Sequence, residues 1–228
     1  MLLKLFKVLK GGRPLEEAGR DFSDMLQLVQ EMLLEASEAY WERNQNPQKR
    51  TALSKKDVKV NKLERKIRKL IIAELSGPSP SDVPYGLLMM SLVKDVERLG
   101  DYAKNLAAVP QTIPAILPED DVVSELKEIR RFVDELAQEA HKVYVAGDME
   151  QAQSLTVEGR SISKRCQKLL PRIASGPYSA DVAVSLTLCT RFYKRIEGHL
   201  LNLLSGVIMP LHKLDYYDED VLSRDDTL

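Results

Sequence analysis

The sequence predicts an all-α protein built as a tandem pair of antiparallel three-helix bundles, on three observations. Apolar residues recur at helical spacing along almost the whole chain, with little strand-like alternation. Aromatic residues make up only 6% while Leu, Ala, Glu, Lys and Arg are abundant. That balance favours helix, because straight-chain residues lose little rotamer freedom there. The two halves also look like copies of one unit. Ser76-Gly77-Pro78 recurs as Ser175-Gly176-Pro177, and Leu63, Ile67 and Leu70 map onto Ile162, Cys166 and Leu169 at the same offset of 99. The run Arg98–Leu106 matches Arg195–Leu203 at an offset of 97, which implies a two-residue gap.

Six main helices follow a short N-terminal segment. Residues 1–13 carry Lys4, Lys7, Lys10 and Arg13 among apolar residues and no acid, which predicts a short amphipathic helix ended by Gly11-Gly12. It is expected to dock on its own bundle, with a membrane surface or partner as the alternative. The first bundle spans 14–109. Its first helix starts after Pro14, buries Phe22, Leu26, Val29, Leu33, Ala36 and Tyr40, and stops near Asn44-Gln45-Asn46-Pro47. Tyr40 and Trp41 are expected to cap the bundle core there, with a partner contact as the alternative. Ser54 is the expected cap of the second helix, which carries Val60, Leu63, Ile67, Leu70 and Ile71 to the break at Ser76-Gly77-Pro78. Ser81 or Asp82 caps the third, which buries Leu88, Leu92, Val96 and Leu99 and is expected to end before Pro110. Residues 110–118 hold three prolines and read as the linker.

The second bundle spans 119–210. Its first helix carries Leu126, Ile129, Val133, Leu136, Ala140 and Val143. Gly147-Asp148 stops that helix and caps the next, which carries Leu155, Ile162, Cys166 and Leu169. The last runs from near Asp181 through Leu188, Phe192, Ile196, Leu200 and Leu203 to Met209-Pro210. Short loops make neighbouring helices antiparallel. Residues 211–228 form an acidic tail.

Composition excludes several classes. Hydrophobic residues at 44% and charged residues at 29% suit a globular chain, not a disordered one. With 33 basic against 34 acidic side chains, the net charge of −1 gives no global pull toward nucleic acid. No apolar run approaches the roughly 18 residues of a membrane span. Cys166 and Cys189 read as two reduced, packed thiols of a cytoplasmic protein.

Chemistry concentrates in Glu97-Arg98-Leu99-Gly100-Asp101. Residues four apart on a helix project side by side, about 6 Å apart at Cβ, and like charges there call for a cation. Asp57 and Asn61 offer the same spacing on the second helix. If the two helices pack antiparallel, four oxygen-bearing side chains converge, a hard-ligand set suited to magnesium, manganese, calcium or iron. Ordinary salt bridging, with Lys94, Arg98 and Lys62 as the neutralising neighbours, is the competing reading.

The run Asp95–Ala107, with its Glu-Arg-Leu-Gly-Asp core, resembles the signature of the PhoU family, which places such a core on the third helix of each repeat. Asp57–Glu64 resembles the family's second-helix motif, and the resemblance covers roughly residues 14 to 210. It implies a non-enzymatic, metal-binding regulator of phosphate uptake. The implied partners are a phosphate-specific ABC transporter, a sodium–phosphate symporter or a sensor histidine kinase, met at the inner membrane surface, with room for a homodimer. The implied cofactor is a divalent or trivalent ion, whether iron, manganese, zinc or magnesium. By position the implied ligands are Asp57, Glu97 and Asp101, with Asn61 in a place where the family favours Asp. In the second half the corresponding positions hold Thr156, Arg160, Lys194 and Gly198, with Glu158 and Glu197 nearby to pair with the cations. At most one metal site is therefore expected, in the first half.

Two other classes were weighed. A di-metal carboxylate enzyme expects Glu-x-x-His pairs, and His141, His199 and His212 all lack a glutamate three residues before them. No Gly-rich phosphate loop occurs either. A metal-free helical adaptor for a membrane transporter needs none of the acids as ligands and is the alternative to the metal-binding reading.

Overall fold

The computed structural model describes residues 14–44 and 46–214. They form six long helices: α1 (Pro14–Trp41), α2 (Pro47–Leu75), α3 (Val83–Thr112), α4 (Asp121–Ala146), α5 (Met149–Ser175) and α6 (Ala180–Ile208). The expected N-terminal amphipathic segment and most of the acidic tail lie outside the described residues. Each helix buries the stripe its apolar spacing dictates. In α1 the side chains of Phe22, Leu26, Val29, Leu33, Ala36 and Tyr40 are all buried.

Local chemistry sets the ends. The side chain of Asp82 accepts from the Tyr85 amide to cap α3, Asp120 accepts from Val123 to cap α4, and Asp148 accepts from Gln151 to cap α5. Gly147 closes α4 with φ 65°, a left-handed conformation that costs glycine little. Two ends differ from the sequence reading. Helix α2 starts at Pro47 rather than at Ser54, because Asn46 caps it through the Gln48 amide and Pro47 sits in the first turn, where its missing N–H is no loss. Helix α3 runs through Pro110 to Thr112. A proline that late forfeits a single helical hydrogen bond, and Ile113 N–H to Val109 O at 2.8 Å closes the end behind it.

Helices α1, α2 and α3 pack against one another, as do α4, α5 and α6, giving two three-helix bundles. Ion pairs fix the antiparallel sense. Lys56 of α2 meets Glu31 and Glu35 of α1 at 2.8 and 2.7 Å, while Lys66, further along α2, meets Glu17 and Asp21 nearer the start of α1. Arg165 of α5 does the same for α4 through Glu125 at 2.5 Å. Each such half-exposed pair is worth less than about 1 kcal/mol, so these pairs set register while the core supplies stability.

The bundles join along α3 against α6 and α1 against α4, and the apolar core is continuous through that seam. A close approach is required at Gly206, where a Cβ would come within 2.7 Å of Leu92 Cδ1. Several polar groups in the seam form one network. Ser37 donates to Asp134 Oδ2 at 2.8 Å and lies 3.0 Å from the Tyr193 hydroxyl, Arg130 donates to both Ser37 and Asp134, and the Trp41 indole donates to Tyr193. Tyr40 is fully buried, and Trp41 packs against the core. Arg43 adopts φ 52° at the end of α1. A non-glycine residue there costs about 1–2 kcal/mol. Its guanidinium donates to Ile113 O at 2.6 Å and to Ser185 Oγ at 3.2 Å, tying α1 to the linker and to α6.

Ser37→Ala leaves buried partners short of a hydrogen bond. It is expected to cost about 1–3 kcal/mol in urea unfolding, a fall in Tm of a few degrees. Burial pushes the Asp134 carboxyl above its ordinary value, against the hydrogen bonds from Ser37 and Arg130. The native state therefore keeps a proton that the unfolded chain releases above about pH 3.9, and the contribution of Asp134 to stability falls as pH rises through its native pKa. Asp134→Asn removes that contribution, so the stability gap between wild type and variant should be widest at the acid end and narrow as pH rises. Unfolding curves at stepped pH measure it, and a gap that widens with pH would contradict the assignment.

Candidate functional site

Helix α3 presents two edges to two neighbours. Asp95 and Tyr102, seven residues apart, face α6: Asp95 Oδ1 lies 2.7 Å from His199 Nδ1 and accepts from Asn202 at 2.9 Å, and Tyr102 stacks on the His199 ring at 5.6 Å. His141 lies 3.1 Å from Ser23 Oγ between α1 and α4, and His212 is exposed. The second edge, at the spacing i, i+3, i+4, i+7, carries Glu97, Gly100, Asp101 and Lys104. Gly100 packs toward α1 and α2, with Met32 and Val60 at ordinary contact distance from where its Cβ would stand.

Helix α2 brings Asp57 and Asn61 to that edge. Asp57 is only 6% exposed and Glu97 only 9%. A carboxylate so placed needs a counter-charge, since an unpaired buried ion costs several kcal/mol. Lys104 supplies it, with Nζ 2.8 Å from Asp57 Oδ2 and 3.2 Å from Asp101 Oδ1. Partial burial works against the lysine's charge, but the hydrogen bonds to Asp57 and Asp101 outweigh it and hold its pKa above the ordinary lysine value. The lysine's own charge is therefore fully available to the bridge below about pH 10.4 and is lost only as pH rises beyond. Asn61 Nδ2 donates to Asp57 Oδ2 at 3.3 Å. The other oxygen, Asp57 Oδ1, is buried without a hydrogen-bond partner.

Glu97 is met by Lys94 at 2.6 Å and approached by Arg98 at 3.9 Å, and Arg98 also reaches Asp101 at 3.4 Å. Lys62, the third neighbour expected to neutralise these acids, lines a groove between α1 and α2 with Asp24, Glu31 and Lys66. Sequence spacing singled out Asp57, Asn61, Glu97 and Asp101 and passed over Lys104. The signal was its position three residues after Asp101, the spacing that already marked Lys94 before Glu97.

Among the described residues no three His, Cys, Asp or Glu side chains converge as a metal requires. With ammonium between Asp57 and Asp101, and Glu97 paired to Lys94, the side chains as they stand do not fit a metal ion, and no chemistry is assigned to one. In the second half Thr156 takes the place of Asp57, buried, with its hydroxyl donating to Ala152 O at 2.7 Å on its own helix. Glu197 is buried nearby on α6.

The two partners of Lys104 differ in burial, so their removal is expected to differ in cost. Asp57→Ala should lose about 1–3 kcal/mol in urea unfolding, because it strips a nearly buried charge pair. Asp101→Ala, at a more open position, should lose less than about 1 kcal/mol. Equal losses would contradict the burial argument.

A family model described as "PhoU domain" matches residues 22–109, the first bundle almost entire. The chain is 28% identical over 194 residues to the phosphate-specific transport system accessory protein PhoU homolog 1 of Thermotoga maritima, covering 82% of this chain and 83% of that protein. It is 24% identical over 141 residues to PhoU homolog 2 of Mycobacterium tuberculosis, covering 60% of this chain and 66% of the relative. The fold matches the crystal structure of PhoU from Pseudomonas aeruginosa with a TM-score of 0.77 at 20% identity, over 85% of this chain and 95% of that one. It also matches the phosphate transport system regulatory protein PhoU from Streptococcus pneumoniae with a TM-score of 0.73 at 17% identity, over 85% and 92%. Six helices in two bundles, a Glu-Arg-Leu-Gly-Asp run on the third of them, and a relative aligned over four fifths of both chains make the chain similar to PhoU proteins, with the PhoU domain itself matched over the first bundle.

Proposed function

We propose that this protein is a regulatory, non-catalytic helical adaptor of phosphate uptake, acting by contact with a phosphate transporter or a sensor kinase at the inner face of the membrane and needing no metal to do so. The observation that carries the reading is the alignment with a phosphate-specific transport accessory protein over more than four fifths of both chains. The structure supports it in two ways. No helix among the described residues is long and apolar enough to cross a membrane. The acids of α2 and α3 are already met by Lys94, Arg98 and Lys104, which leaves the bundle surface, not a reaction centre, as the working part. A metal-dependent version of the same role draws on one observation, the unpartnered Oδ1 of Asp57.

The test is complementation. In a bacterial host lacking its own regulator of this family, the chain is expected to restore repression of a phosphate-starvation reporter at high phosphate. It is also expected to co-purify with the phosphate transporter or the sensor kinase. A reporter that stays derepressed, with neither partner recovered, would refute the reading.

A further inference from the structure

We infer that Lys104 is the resident cation of the α2–α3 carboxylate site and keeps divalent metal out of it. The inference rests on the adaptor reading in one respect only, that the working protein carries no metal there. Its basis is competition for the same atoms. The ammonium takes Asp57 Oδ2 and Asp101 Oδ1, two carboxylate oxygens from different helices for which a metal bridging α2 and α3 would compete. A metal would pull those oxygens to within about 2.0–2.6 Å of itself, space that the lysine nitrogen now fills.

The lysine also has the advantage of tethering. It is part of α3, three residues from one of its partners, so it is present at an effective concentration that free metal has to overcome. A site of two carboxylates and an amide is a weak competitor, comparable to sites that need about 10⁻⁴–10⁻³ M of a hard cation.

Beneath the lysine the site keeps unused capacity. Asp57 is more than nine-tenths buried, its Oδ1 has no hydrogen-bond partner, and it lies 3.9 Å from the position of a Cβ on Gly100, at the packed junction of α1, α2 and α3. Asn61 stands one turn along α2 from Asp57, with an amide oxygen that a cation could take if the amide turned over. Removing the ammonium would leave the almost wholly desolvated Asp57 without its cation and Asp101 with Arg98 alone, and such a pair of carboxylates attracts a hard cation.

The experiment is thermal unfolding of the chelator-treated full chain, with and without millimolar Mn²⁺ or Mg²⁺. The wild type is expected to show no metal-dependent shift. Lys104→Met, with Lys104→Gln as a second variant of different polarity, should melt lower in chelator. Either should then gain roughly 3–6 °C with Mn²⁺ at about ten times its Kd. Lys104→Arg, which keeps a cation, should stay unresponsive, and adding Asp57→Asn to Lys104→Met should abolish the gain. A wild type that gains as much as the variants would overturn the exclusion, and folded Lys104→Met and Lys104→Gln proteins that gain nothing would overturn the latent site. Neither result touches the reporter and co-purification readouts, so failure here is distinguishable from failure of the adaptor reading.

Discussion

Helix α3 packs against α1 and α2 on one side and α6 on the other, and the architecture turns on the fact that one helix serves two cores at once. An α-helix has room for this only if its residues are divided by angle. Leu88 and Leu92 lie against Gly206, and Asp95 and Tyr102 against His199, so these positions belong to the seam between bundles. Gly100, Asp101 and Lys104 belong to the approach of α2. What is left is a narrow exposed stripe that includes Leu87, Ser91, Arg98 and Asn105.

That division also sorts the electrostatics by consequence. The lysines of α2 that grip α1 are partly exposed, and solvent discounts what each pair contributes. Asp57 has no such discount, because the same packing that brings Gly100 close to α1 and α2 removes water from its carboxylate. A similar principle governs the seam at Asp134, where Ser37 and Arg130 bond a carboxyl that burial pushes above its ordinary value. In both places the polar group specifies how helices meet, while the continuous apolar core provides most of the cohesion.

Much of this was legible in the sequence because helical burial is periodic. The stripe from Phe22 to Tyr40 and the repeat of Ser-Gly-Pro at 76 and 175 located helices and halves without any contact information. The start of α2 was hidden because its first turn, Gln48 to Thr51, is exposed and shows no apolar period, and because Pro47 was weighed as the end of one helix and not as the beginning of the next. The site was half legible. Spacing along one helix identified Glu97, Asp101 and the pairing roles of Lys94 and Arg98. It could not identify Lys104 as the partner of Asp57, since that pairing depends on the register between two helices, which is settled by packing along their whole length.

The replacement of Asp57 by Thr156 in the second half has a consequence for how the molecule presents itself. A faithful duplication would place the same side chains at the equivalent points of both bundles. Here one half carries a cross-helix bridge of charges and the other, at the equivalent place, a hydroxyl bonded to its own backbone. The two halves are alike in how their helices pack and differ in charge at this place. The duplication therefore repeats the helices without repeating the charges that cross between them.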